Sequence, residues 1–261
     1  MTLKLALIIK NILRRGMKMK NSIFKCGSIL LMAIIFSTLI PINTFSKSHK
    51  DNLVVNTLTL NENNNKILFD LKYPEVKLEN EHVQNKINIL IKQHVYEFKK
   101  YLEEIYKESN SIDKDGNDTS PLFASKFEGL SDFKYEVVSN ILSLTIKFSQ
   151  FTGGAHPMTY VRNYNFDLNT GDIIKLNGLF NKEGKETHKS IIDKFIINQM
   201  NKSPEMYFKD EFKGVGENTQ YYLTNDSLVV FFQLYEIAPY SSGIVEFKIP
   251  FSQFGNSINI G

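Results

Sequence analysis

Hydrophobic and polar positions change their spacing several times along the chain, and each spacing predicts a different element. Near the start, LVVNTLTL and KILFDLKYPEV alternate between apolar and polar residues and are rich in β-branched and aromatic side chains. The polar stretch NENNN separates these two runs. Alternating runs joined by a short polar stretch predict a β-hairpin.

The spacing changes to a helical period between Glu81 and Glu108. Apolar residues recur there at steps of three and four, which places them on one face of an α-helix. They are Val83, Ile87, Leu90, Ile91, Val95, Phe98, Leu102 and Ile105. Asn80 is placed to cap this helix, and Glu81 suits the positive end of the helix dipole. We therefore expect a long helix whose apolar face covers a sheet.

Strand-like runs return after a polar, turn-rich stretch at 109–121. FKYEVVS, ILSLTIKFSQF, TYVRNYNFDL and DIIKL follow one another with short connections, which favours antiparallel pairing. A second helix is predicted by the spacing of Ile191, Ile192, Phe195, Ile196 and Met200, and the strand-like runs QYYLT, SLVVFFQL and GIVEFKIP follow it. The pattern predicts an α+β fold made of two helix-on-antiparallel-sheet domains in series.

The distribution of charge separates residues 1–46 from the rest of the chain. Seven of the 31 basic residues and none of the 28 acidic residues lie in this segment, and an apolar run extends from Ile29 to Ile40. This layout is typical of a secretory signal peptide, with a marginal membrane anchor as the alternative. The length of the apolar run favours the signal peptide. Met17 and Met19 are alternative starts to Met1, because a more conventional leader begins there.

The remainder of the chain carries a net charge of −4 and no basic stripe, so it lacks the electrostatic pattern of nucleic-acid binding. The single cysteine of the whole chain, Cys26, belongs to the leader. We therefore expect a mature protein without disulfides or cysteine-ligated metals, secreted or attached at the cell surface. The membrane would be a partner only through an uncleaved N-terminal segment.

Common catalytic and metal-binding spacings are absent from the sequence. It contains no His-Glu-x-x-His, no Gly-x-Ser-x-Gly and no Gly-x-x-x-x-Gly-Lys, and DKDGND lacks the glutamate that completes a calcium loop because Ala124 stands there. We expect no cofactor and no bound metal, and favour a protein without enzymatic activity. Four of the five histidines are interpreted as solvated: His49, His82, His94 and His188.

Two stretches remain as candidates for a site, FTGGAHP at 151–157 and YEIAPYSSG at 235–243. The paired glycines predict a turn or bulge with positive φ, and Pro157 favours an extended backbone at His156. His156 would meet Glu236 if the two stretches adjoin, and such a pair could bind a ligand or move a proton. A purely structural histidine is the alternative. The candidate ligand-binding residues are Gly153, Gly154, His156, Tyr235, Glu236 and Tyr240.

Two longer segments contain these stretches, YEVVSNILSLTIKFSQFTGGAHPMTYVRNYNFDLNTGDIIKLNGLF and YYLTNDSLVVFFQLYEIAPYSSGIVEFKIPFSQF. Together they resemble the tandem extracytoplasmic domains of the anti-sigma-V factors of Gram-positive bacteria. The first segment also resembles the N-terminal domain of certain peptidoglycan deacetylases. The resemblance covers about Leu53 to Phe254. It implies one α+β domain at 47–157 and a second at 158–261, after the signal segment.

The resemblance implies a secreted or surface-attached, non-catalytic module that binds or senses a ligand at the bacterial cell wall. Lysozyme, another wall-associated protein or a glycan is the partner that it suggests. We do not expect control of a sigma factor, since the short stretch ahead of the apolar run shows no amphipathic helix, and we find no deacetylase catalytic domain. The alternative is an enzyme that modifies cell-wall polymers with His156, Glu236 and Tyr240.

Overall fold

The computed structural model describes residues 53–109 and 126–260, which belong to one compact unit. The predicted signal segment at 1–46 and most of the polar stretch at 109–121 lie outside the described residues. The strands are β1 (Val54–Asn63), β2 (Ile67–Lys77), β3 (Phe127–Val138), β4 (Ile141–Phe151), β5 (Met158–Asp167), β6 (Tyr221–Leu223), β7 (Ser227–Phe232) and β8 (Val245–Pro250). The α-helices are α1 (Glu81–Ser109) and α2 (Lys182–Met200).

The first five strands form one sheet in the order β1-β2-β3-β4-β5. The predicted hairpin is confirmed, because β1 pairs antiparallel with β2 along its whole length. The expectation of purely antiparallel pairing is wrong at one place, since β2 and β3 pair parallel from Ile67↔Phe127 to Leu71↔Ser131. The reason lies in the connection. The segment containing α1 returns the chain to the end of the sheet where β2 began, so β3 runs in the same direction as β2.

Helix α1 covers one face of this sheet, as its apolar spacing predicts. The Asn80 carboxamide oxygen accepts hydrogen bonds from the backbone N–H groups of His82 (3.1 Å) and Val83 (3.3 Å), which caps the helix. The buried side chains of the helix are Val83, Ile87, Ile91, Val95, Phe98 and Leu102. They share one core with sheet residues that include Leu71, Leu144 and Phe148.

The last three strands form a separate antiparallel sheet in the order β6-β7-β8. Helix α2 is capped by Asn181, whose side chain accepts a hydrogen bond from the Gly184 N–H at 2.9 Å. Ile192 and Ile196 of α2 are buried in a second core with residues of this sheet. The two predicted helices and the closing strands are therefore confirmed.

The predicted strand DIIKL is wrong. In place of a strand, Ile173 makes one isolated bridge to Phe166, and a short 3₁₀ helix follows at Leu176–Leu179. The chain leaves the edge of the five-stranded sheet here because Leu176 and Leu179 are buried in the second core.

The predicted domain boundary between Pro157 and Met158 falls between two paired strands. Strands β4 and β5 pair antiparallel from Ile141↔Asp167 to Gln150↔Met158. Residues 158–167 therefore lie in the five-stranded sheet and not with the second sheet. A hairpin connection of six residues leaves β5 beside β4, which is the usual result of a short connection between strands.

A buried polar network joins the two sheets. The Ser143 hydroxyl on β4 donates to the Asn165 carboxamide oxygen on β5 at 2.7 Å and accepts from the Leu223 N–H on β6 at 2.7 Å. The Asn165 amide donates to the Tyr221 carbonyl at 2.9 Å. Ser143 and Asn165 are only 2% and 1% exposed, so water cannot replace these hydrogen bonds.

Candidate functional site

The two candidate stretches lie against each other, although they are far apart in sequence. His156 lies in the β4–β5 turn, and its ring stacks on the Tyr240 ring, with 3.8 Å between the ring centroids and 23° between the planes. The Tyr240 hydroxyl donates to the Pro157 carbonyl at 2.8 Å, a contact between positions 83 residues apart. The β4–β5 turn and the β7–β8 connection therefore form one surface.

The two glycines of the β4–β5 turn have different roles. Gly153 has φ of 80° and is buried, so the predicted turn with positive φ is confirmed at this position. Gly154 is exposed, is not among the positive-φ glycines, and has open space where a side chain would start. Gly153 is thus required by the backbone, whereas Gly154 tolerates a side chain.

Tyr235 combines exposure with an unusual backbone. Its φ is 64°, a left-handed conformation that costs a residue with a side chain on the order of 1–2 kcal/mol. The side chain is 49% exposed, and its ring centroid lies 5.8 Å from that of Tyr240. Backbone strain of this kind clusters at functional sites. We define the aromatic surface as the side chains of His156, Tyr235 and Tyr240.

Glu236 does not pair with His156. Its carboxylate accepts a hydrogen bond from the Gln233 N–H at 2.7 Å, and the Glu236 N–H donates back to the Gln233 carbonyl at 3.1 Å. In the described part of the chain, no hydrogen bond or ion pair joins Glu236 to His156. Glu236 therefore stabilises the turn that carries Tyr235.

Gln233 attaches the β7–β8 connection to the edge of the five-stranded sheet, a role that sequence reasoning missed. Its carboxamide oxygen accepts from the Val161 N–H at 3.0 Å, and its amide donates to the Val161 carbonyl at 2.7 Å. The side chain thus satisfies the outward backbone groups of β5 as a neighbouring strand would. The aromatic surface is held in place by this pair of bonds and by the Tyr240–Pro157 hydrogen bond.

The aromatic surface is suited to binding by contact. Tyrosine rings present apolar area together with a hydroxyl, and they are enriched where proteins bind other proteins. Within residues 53–109 and 126–260, no group of three or more histidine, cysteine, aspartate or glutamate side chains could hold a metal ion. The arrangement offers shape, apolar area and hydrogen bonds to a partner.

The interpretation of His94 and His188 as solvated histidines is wrong. The His94 Nδ1 lies 2.7 Å from the Tyr164 hydroxyl, and the His188 ring stacks on Phe180 with 4.6 Å between centroids. Both rings are half-buried, because their helices pack against aromatic residues elsewhere in the fold. Burial raises the pKa of the Tyr164 hydroxyl, so this group stays neutral beside His94.

Comparison with known families gives two separate matched segments. Residues 60–159 match the family described as deacetylase PdaC, and residues 177–252 match the family described as protein of unknown function DUF3298. The resemblance found in the sequence is confirmed. The aromatic surface takes His156 from the first matched segment and Tyr235 and Tyr240 from the second.

A curated protein and two solved structures are also similar to this chain. The anti-sigma-V factor RsiV of Bacillus subtilis strain 168 is 26% identical over 280 residues, which is 97% of this chain and 90% of RsiV. A DUF3298 family member from Bacteroides fragilis has a TM-score of 0.57 at 19% identity and covers 81% of this chain and 95% of its own. A DUF3298 protein from Pseudomonas aeruginosa has a TM-score of 0.55 at 15% identity, covering 79% and 94%. At these identities the structures show a shared fold.

No helix in the described part of the chain is both long and apolar enough to cross a membrane.

Proposed function

We propose that this chain is an extracytoplasmic, non-catalytic module of the bacterial cell envelope that binds a ligand through its aromatic surface. The observation that carries the proposal is the stacked His156–Tyr240 pair beside the exposed and strained Tyr235. Two stretches remote in sequence are held together there by defined hydrogen bonds, so the surface is preorganised for a partner.

Similarity to RsiV and to a deacetylase-associated family supports a place in the cell envelope. A wall-associated protein such as lysozyme, or a peptidoglycan fragment, is the ligand that we propose. Lysozyme is the first choice, because half-exposed tyrosines at a surface favour a protein partner. A secreted form and a form anchored by the N-terminal segment are both compatible with this role.

Isothermal titration calorimetry with lysozyme and with purified muropeptides tests the proposal. We expect one of the two ligands to bind, and Tyr235→Ala to weaken binding by at least about tenfold, because truncation of a central tyrosine at an interface costs about 2 kcal/mol. Tyr240→Ala should weaken binding further, since it also removes the stacking partner of His156.

Tyr135→Ala is the matched control. Tyr135 is 43% exposed, close to the 49% of Tyr235, but it lies on β3 outside the aromatic surface. The control should bind as the unchanged protein does. If neither ligand binds, the proposed ligands are rejected. If Tyr135→Ala and Tyr235→Ala weaken binding equally, the proposed surface is rejected.

The alternative proposal is an enzyme that modifies wall polymers with His156, Glu236 and Tyr240. The observed contacts support it less well, since the Glu236 carboxylate accepts from a backbone N–H and the Tyr240 hydroxyl donates to a carbonyl. Release of acetate or of reducing ends from peptidoglycan, lost in His156→Ala without a change in melting temperature, would favour the enzyme over the binding module.

A further inference from the structure

Strand β1 forms one edge of the five-stranded sheet, and every second residue directs its backbone groups outward. The Asn64 N–H donates to the Ile67 carbonyl at 3.2 Å, which places the even-numbered residues of β1 in hydrogen-bonded pairs with β2. In agreement, Val76 lies opposite Val55 but gives both of its backbone groups to the Asn88 side chain, at 2.8 Å each. The outward backbone groups of β1 therefore belong to Val55, Thr57, Thr59, Asn61 and Asn63.

The two edges of this sheet differ in what occupies their backbone groups. At β5, the Gln233 side chain binds both groups of Val161, and the Asn165 carbonyl accepts from the Ile174 N–H at 2.8 Å. At β1, nothing in the described part of the chain hydrogen-bonds the outward backbone groups. Eight of the ten residues of β1 are exposed, so its edge is accessible to another strand.

Strand β1 also lacks the features that usually keep an edge strand from pairing with other chains. Such strands are protected by lysine, by proline or by a bulge. The sequence of β1, VVNTLTLNEN, contains no lysine and no proline, and its residues pair one to one with β2 without a bulge. Glu62 carries the single charge of the strand. A long, regular and nearly neutral edge is suited to receive a further strand.

We propose that β1 pairs antiparallel with β1 of a second copy of this chain, which joins the two sheets into one. A twofold axis at Thr59 uses all the outward backbone groups. Thr59 then faces Thr59 of the second copy, and Thr57 faces Asn61. Val55 faces Asn63, so the pairing extends over nearly the whole strand. A shift of this register would leave outward groups unpaired at the ends of β1.

The same register matches the side chains of the two copies. Leu58 and Leu60 lie on the face covered by α1, because they are paired in register with buried residues of β2. Leu58 is 37% exposed and would meet Leu60 of the second copy. Glu62 would meet Asn56, so no like charges oppose each other across the pair. The threonine and asparagine pairs on the other face can form hydrogen bonds.

The pairing leaves the aromatic surface accessible. That surface is attached to β5, at the opposite edge of the sheet from β1. Four strand spacings separate the two edges, or about 19 Å. A dimer would therefore present two aromatic surfaces, and a ligand that repeats along the cell wall would bind both with a gain in avidity. The pairing itself does not depend on what the aromatic surface binds.

Cysteine cross-linking of the full chain tests the pairing and its register, with Cys26→Ser in every variant. Thr59→Cys places two thiols across the twofold axis, where the Cα atoms lie about 5.5 Å apart, within the range of a disulfide. Thr57→Cys is the matched control, because Thr57 is also an exposed threonine of β1 but would lie roughly 13 Å from its own copy. Oxidation with copper-phenanthroline should link Thr59→Cys at least several-fold faster. A mixture of Thr57→Cys and Asn61→Cys should form mixed dimers.

Thr59→Pro tests the backbone pairing by sedimentation equilibrium. The Thr59 N–H points away from β2, so proline removes no hydrogen bond within one copy, and edge strands accept proline. Both hydrogen bonds between the two central residues are lost, and we expect the Kd of the dimer to rise by at least about tenfold. Thr59→Val keeps the N–H and should dimerise as the unchanged chain does.

Each result has a defined meaning. A dimer that is weakened by Thr59→Pro, kept by Thr59→Val and linked preferentially by Thr59→Cys supports the pairing. A monomer at every concentration, or equal linking of Thr57→Cys and Thr59→Cys, overturns it. Association that is unchanged in Thr59→Pro, for example through the N-terminal segment, also overturns it. If Thr59→Pro lowers the melting temperature of the monomer, the cross-linking rates decide, since those variants contain no new proline.

Discussion

The buried network between the sheets gives a sharp test of how they are held together. Ser143→Ala removes the hydroxyl that donates to Asn165 and accepts from the Leu223 N–H. The backbone fold of β4 is unaffected by this substitution, because alanine fits the same extended conformation. The Leu223 N–H and the Asn165 carboxamide oxygen each lose a hydrogen-bond partner in a region closed to water.

The expected cost follows from those two groups. A buried polar group left without a partner costs about 1–3 kcal/mol, so we expect Ser143→Ala to lower the free energy of unfolding by about 2–4 kcal/mol. Folded domains of ordinary size have a free energy of unfolding of only about 5–15 kcal/mol. The loss of one hydroxyl should therefore produce a large shift of the unfolding midpoint.

Urea unfolding followed by circular dichroism measures the effect, with Ser149→Ala as the control. The Ser149 hydroxyl lies 3.1 Å from the Thr159 hydroxyl at a half-buried position, where water can replace it, so that variant should lose less than about 1 kcal/mol. Ser143→Ala and Asn165→Ala should also be non-additive, because they share a hydrogen bond. Equal losses in Ser143→Ala and Ser149→Ala would refute the reasoning.

Three further outcomes are expected. Gly153→Ala should lower the free energy of unfolding by about 1–2 kcal/mol, because φ is 80° at this position. Gly154→Ala should change it by less than about 0.5 kcal/mol in the same urea assay. Equal effects of the two substitutions would contradict the assigned turn. Asn80→Ala should cost about 1 kcal/mol by removing the cap of α1, and an unchanged unfolding midpoint would argue against the cap. Burial raises the pKa of Tyr160 from 10.0 to about 12. The unfolded chain therefore loses the Tyr160 proton at a lower pH than the folded protein, and the free energy of unfolding falls between those pH values by up to about 1.4 kcal/mol per pH unit. Tyr160→Phe should show a shallower fall when urea unfolding is measured as a function of pH.

The periodic segments were the predictable part of the fold. Helix α1 and its cap at Asn80 follow from spacing and local hydrogen bonding, which act within a few residues along the chain. Most strands could be located for the same reason. DIIKL failed because its alternation is strand-like, whereas the burial of Leu176 and Leu179 in the second core directs the chain away from the sheet edge.

The candidate site was predictable in its parts and not in its contacts. The sequence indicated His156, Tyr235, Glu236 and Tyr240 as neighbours, and the structure brings three of their rings together. It did not indicate that Glu236 accepts a hydrogen bond from the Gln233 N–H. The sequence pattern does not specify whether the carboxylate binds the histidine or a nearer backbone donor. No local sequence pattern indicates that Gln233 binds the backbone at the edge of β5.

By itself, the sequence determined the helices, most of the strands, the turn at Gly153 and the family resemblance, because each depends on residues close together in the chain or on an ordered motif. The tertiary structure decided the parallel pairing of β2 with β3, the Ser143 network and the stacking of His156 on Tyr240. Each of these joins positions far apart in sequence. Their energies come from burial and from the direction of long-range contacts, which no local spacing specifies.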